Sequence, residues 1–136
     1  MKTPKLNFAV LCDDAFTSEG SKKLNIVGIF QRIFAAKLPI VHPRLAVVAN
    51  FNIEERDKMY NFKVQMVKEK EEANVLMEAA GIADVKAISA SSEENWQMII
   101  YFQIIKFDSL GKYFFKVLLD DMPVAKIPFE VVPPLT

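Results

Sequence analysis

The sequence predicts an all-β fold: an antiparallel β-sandwich of about eight strands, immunoglobulin-like or jelly-roll-like. Three observations carry that reading. Short runs rich in β-branched and aromatic residues return roughly every 10–15 residues along the chain. Tyr60, Phe62, Val64 and Met66 alternate with Asn61, Lys63 and Gln65, the period of a strand with one buried face. Polar and turn-forming clusters, such as Ser18-Glu19-Gly20-Ser21 and Asp108-Ser109-Leu110-Gly111, separate the runs.

Leu6 to Cys12 is short and apolar and reads as a first buried strand closed by Asp13-Asp14. Asp13 to Lys23 reads as a polar loop. Leu24 to Phe30 is a second strand, with Gly28 marking a bulge or a close backbone approach. Phe34 to Leu38 reads as its continuation after a break at Gln31-Arg32. Pro39 to Pro43 is a crossing segment, because both prolines lack a donor and bias the preceding residue to extended geometry.

Leu45 to Ile53 is the third strand, Glu54 to Lys58 a charged turn, and the alternating segment after it the fourth strand. Lys68 to Ala80 has two readings. Its Lys, Glu and Ala content favours a helix. A charged turn at Glu69–Asn74 leading into a strand from Val75 to Ser89 is preferred, and the helix stays open beside it. Ser89 to Glu94 is a loop, and Trp96 to Phe107 a dense β-branched and aromatic strand. Lys112 to Leu119 is the next strand, and Asp120-Asp121 a tight hairpin turn. Val124 to Val132 is the last strand, where the internal Pro128 indicates an edge position or a bulge. Gly111 and Tyr113 resemble a tyrosine corner, in which a Tyr near the start of a late strand bonds the backbone upstream.

The chain has 136 residues, the usual size of one domain, and no internal repeat or linker divides it. Apolar residues make up 51% and charged residues 25%, a composition that excludes wholesale disorder. The 17 basic and 17 acidic side chains cancel, which disfavours nucleic acid or an anionic membrane as partner. Little self-repulsion is left to oppose self-association. The first residues lack an apolar stretch of signal-peptide length, and the expected compartment is the cytoplasm.

Few residues are placed to carry chemistry. Cys12 and His42 are the only cysteine and histidine, so no intrachain disulfide and no thiolate–imidazole zinc cluster can form. As a nucleophile–base pair they are disfavoured, since a cysteine ending an apolar strand packs as a small hydrophobe. Asp13, Asp14, Asp120 and Asp121 are weak candidates for a cation site. None has the acidic spacing of a calcium loop, and turns or caps explain them as well. The four glycines are too dispersed for a phosphate loop. Trp96, Tyr101, Phe102 and Lys106 would stack single-stranded bases if they shared a face, but core packing is the simpler role. Gly28, Pro39, His42, Pro43, Gly111 and Tyr113 are expected to be structural. No cofactor is expected.

Phe8 to Ala15, Lys23 to Phe30, Arg32-Ile33, Leu38-Pro39, His42-Pro43, Gly111 to Phe115 and Val124 to Val132 occur in an order that spans nearly the whole chain. This order resembles a functionally uncharacterised family of small prokaryotic β-sandwich proteins, a domain-of-unknown-function family. The resemblance implies a sandwich, shifts Lys68 to Ile88 toward a hairpin, and implies no reaction. The expectation is therefore a non-enzymatic binding or assembly module acting through a sandwich face or loop end, its partner itself or another protein. A small-ligand or cation-binding sandwich, and an enzyme with a site formed between subunits, are the alternatives.

Overall fold

The computed structural model describes residues 4–52, 58–85 and 95–135. Nine strands follow one another: β1 Lys5–Thr17, β2 Leu24–Phe30, β3 Arg32–Phe34, β4 Ile40–Asn52, β5 Lys58–Lys68, β6 Met77–Val85, β7 Asn95–Phe107, β8 Gly111–Leu119 and β9 Met122–Val132. They form a four-stranded sheet, β2-β1-β4-β7, and a five-stranded sheet, β3-β9-β8-β5-β6. All pairings are antiparallel except that of β3 with β9. No helix occurs among the described residues, so none there is long and apolar enough to cross a membrane.

The two sheets share one core. Leu45, Val47, Ala49 and Phe51 of β4 point into it, as do Val64 and Met66 of β5 and Phe115 and Val117 of β8. An aromatic row ties the sheets together: Phe102 of β7 lies 5.1 Å from Phe115, Phe115 stacks on Phe129 at 5.5 Å, and Phe129 stacks on Tyr113 at 5.6 Å. Phe107 closes the row edge-on to Tyr113 at 5.2 Å. The Tyr113 hydroxyl donates to the Ser109 carbonyl at 2.7 Å, so a buried polar atom at the edge of this row is satisfied four residues upstream.

Several boundaries differ from the sequence expectation. β1 does not stop at Cys12; it pairs with β2 as far as Thr17 opposite Leu24, so Asp13 and Asp14 lie within a strand. The segment after Gln31 does not continue β2. It crosses to the other sheet as β3, aligned with Glu130 to Val132. β4 begins at Ile40, so His42 and Pro43 are strand residues and not a crossing segment. Pro43 falls between the pairs His42–Ile105 and Arg44–Gln103, opposite Ile104, whose φ of 54° makes the ladder irregular there. Pro39 precedes the strand in a cis peptide bond with Leu38.

Lys68 to Ala80 contains no helix; β5 and β6 are a hairpin joined over residues 69–76. The strand after the turn is Met77–Val85, and the expected continuation to Ser89, the loop to Glu94 and the turn at Glu54 to Asp57 lie outside the described residues. The Asp120-Asp121 hairpin forms without glycine because both residues take left-handed φ values, 49° and 65°, which short polar side chains tolerate. The turn is latched to β5, since the Asp120 carboxylate accepts from Asn61 N–H at 2.9 Å and Asp120 N–H donates to the Asn61 carbonyl at 2.8 Å.

Pro128 faces an open edge. Glu130 N–H donates to Gln31 of the β2–β3 crossing, so the nitrogen two residues earlier points to the same side, where β3 no longer reaches.

Candidate functional site

The four-stranded sheet has a second apolar cluster, separate from the shared core. Cys12, Ala15, Ala46 and Val48 are buried there, flanked by Val10, Leu24, Ile26 and Ile99. Along β4 these residues alternate with the core-facing set, which is why Leu45 to Ala49 is apolar without interruption. None of the described strands of the five-stranded sheet contributes to this cluster. Its floor is made of small side chains sheltered by larger neighbours that are themselves only half-buried.

Polar groups bound the cluster at both ends. At one end, Asn7 Nδ2 lies 2.8 Å from Asn50 Oδ1, 3.1 Å from Asn52 Oδ1 and 3.3 Å from Asn95 Oδ1. Asn50 is the one buried polar side chain among the described residues, and Asn7 satisfies it. At the other end, the Tyr101 hydroxyl donates to Asp14 Oδ1 at 2.7 Å and also contacts the Ala15 carbonyl. Ala15 N–H donates to the same carboxylate oxygen at 2.9 Å. The Arg44 guanidinium lies 4.2 Å from the Tyr101 ring centre and 3.5 Å from Asp14. The Tyr101 hydrogen bond holds the Asp14 carboxyl below its ordinary range, and the same bond pushes the Tyr101 phenol up. The ion pair is half exposed and adds little to stability. The cluster orients an aromatic ring and a guanidinium at the sheet surface, the two side chains most enriched where proteins bind each other.

The candidate residues from the sequence are dispersed. Asp14 is committed to Tyr101, while Asp13 lies over Gly28 on β2. Asp120 pairs with Lys58 at 3.6 Å and Asp121 with Lys63 at 3.3 Å, both on the other sheet. Among the described residues no three His, Cys, Asp or Glu converge as metal ligands. Cys12 Sγ faces the Ala46 carbonyl at 3.8 Å, and burial pushes its thiol up, the opposite of an activated nucleophile. His42 packs against Phe30 at 5.8 Å between ring centres. Trp96 stacks on Phe51, Phe102 points into the core, Tyr101 sits on Asp14 and Lys106 pairs with Asp108, so these four do not share a face. A groove of about 480 Å³ runs between Val10 and Ile29 on one sheet and Ile127 and Pro128 on the other. Beside it Arg32, Glu130 and Lys112 stand in register with alternating sign.

His42 gives one measurable consequence. Burial lowers its basicity, and the Arg44 backbone and the Asp13 charge restore part of it. The unfolded chain therefore takes up a proton near the ordinary value of 6.5, before the folded chain does. Stability is unaffected by this group above that value and falls as the pH drops below it. Urea midpoints should decline between about pH 7 and 5.5, a window in which no other side-chain type of ordinary pKa titrates. His42→Asn should flatten that segment of the profile.

Residues 7–132 match the model of a family of unknown function (DUF6941), and the chain belongs to that family. No curated protein matches its sequence. A solved structure of similar fold is Pseudomonas fluorescens alkylpurine DNA glycosylase AlkC bound to DNA containing an abasic site analog. The likeness has a TM-score of 0.51 at 11% identity and covers 94% of this chain and 30% of that one. The chain thus spans under a third of that protein's length, and at this identity the likeness concerns the fold alone.

Proposed function

We propose that this member of the family is a non-enzymatic binding and assembly module that works through its four-stranded sheet, and that its partner is a second copy of the chain. The observation that carries the reading is the second apolar cluster, with an apolar centre and polar ends, to which none of the described strands of the other sheet contributes. That is the anatomy of a protein–protein contact: an apolar middle inside a polar rim. The charges near it, Asp14 and Arg44, neutralise each other within one chain, so two copies meet without net repulsion. The zero net charge of the chain supports protein over nucleic acid as partner.

Of the two finer fold readings, immunoglobulin-like and jelly-roll-like, the strand order favours the first. In that topology strands B and E pair in one sheet and C, F and G in the other. Here β4 pairs with β7, while β8 lies between β5 and β9. Tyr113, near the start of β8, bonds backbone upstream in the manner of a tyrosine corner.

The test is light scattering across a wide concentration range. The mass should rise from one chain toward two; a single-chain mass at every concentration overturns the proposal.

A further inference from the structure

We infer that two copies join edge to edge through β2, pairing antiparallel with itself about a two-fold axis so that the two four-stranded sheets become one sheet of eight strands. The inference rests on the self-association proposed above and puts its contact at β2, whose Leu24 and Ile26 flank the apolar cluster.

The chemistry of the site selects its occupant. β2 is bonded to β1 along Leu24 to Phe30 and stands at the end of the sheet order, so its outer backbone groups have no strand partner among the described residues. A row of free N–H and C=O groups is matched by another strand. The segment Leu24-Asn25-Ile26-Val27-Gly28-Ile29-Phe30 contains no ionisable side chain, and Val27 and Ile29 are 52% and 58% exposed.

The other sheet ends are guarded. β3 is three residues long. The open part of β9 carries Lys126 and Pro128, which repel or cannot donate to an incoming strand. β6 carries Glu78 and Asp84, and β7 carries Lys106. β2 has seven residues and neither charge nor proline; its one irregularity is the left-handed Gly28. Antiparallel pairing of a strand with its own copy places each residue pair twice, so a charged residue would meet a like charge near the axis. β2 has none to meet. Its partner is therefore chemically satisfied by β2 itself, and a two-fold contact closes at two chains.

The experiment combines light scattering with backbone amide exchange on the full chain. The expected result is a two-chain mass at high concentration, with exchange along Leu24 to Phe30 slowing as concentration rises. Val27→Lys, and independently Ile29→Lys, should return the mass to one chain while circular dichroism stays that of the folded protein. Ile82→Lys, exposed on β6 of the other sheet, should leave the two-chain mass in place. A wild-type chain that never associates overturns both the assembly proposal and this inference. A two-chain mass that survives both β2 variants, with β2 exchange independent of concentration, overturns the edge contact and leaves the assembly proposal standing. If Ile99→Lys, on the sheet face, alone dissociates the pair, the face and not the edge is the contact.

Discussion

Phe115→Ala should lower stability by about 3–5 kcal/mol, measured as the free energy of unfolding in urea. The side chain is fully buried and stands at the middle of the aromatic row, in contact with Phe102 of the opposite sheet and Phe129 of its own. Truncation removes the transfer free energy of the ring and leaves a cavity between the two sheets. Collapse into that cavity would require moving β8, which is held by β5 and β9. A loss of that size is a large share of the roughly 5–15 kcal/mol that holds a domain folded. Phe115→Leu should lose markedly less, because it keeps much of the volume. An alanine variant within about 1 kcal/mol of the parent would contradict the position of Phe115 as the hinge of the row.

The second large effect is expected at Gly28. Its φ is 71°, a left-handed value that costs a residue with a Cβ of the order of 1–3 kcal/mol. A Cβ there would also lie 2.3 Å from Asp13 Oδ2 and 2.9 Å from its carboxyl carbon. Gly28→Ala therefore combines backbone strain with a clash that expels the Asp13 side chain. Asp13→Ala in the same chain removes most of the clash and none of the strain. The double variant should be more stable than the sum of the two single losses predicts, and a double-mutant cycle by urea unfolding measures the coupling. Strict additivity would show that Asp13 moves aside without cost.

Gly28 also illustrates how far the sequence could be read. A glycine inside Leu24 to Phe30 signals a close approach, and the structure identifies the neighbour as a carboxylate fifteen positions earlier in the chain. Local pattern located strands where one face is apolar or the whole run is, as in β5, β7 and β8. It misjudged the end of β1, because Asp13-Asp14 has the composition of a turn. Both aspartates are tolerated in the strand: one lies over the missing side chain of Gly28, and the other binds Tyr101, Arg44 and the Ala15 amide. Apart from the adjacent Ala15, those partners lie on β2, β4 and β7, and no spacing rule connects positions 14 and 101.

The all-β class, most of the strands, the Asp120-Asp121 hairpin and the edge character of Pro128 follow from the sequence by itself. Periodicity, β-branched content and turn chemistry are local properties that a strand carries wherever it lies. The tertiary structure decided the ninth strand, β3, since three residues gain strand geometry only by bonding to β9. It also decided which half of each apolar run faces the shared core and which forms the second cluster. Ala46 and Val48 are as apolar in sequence as Val47 and Ala49, and only the stacking of one sheet on the other separates the two sets.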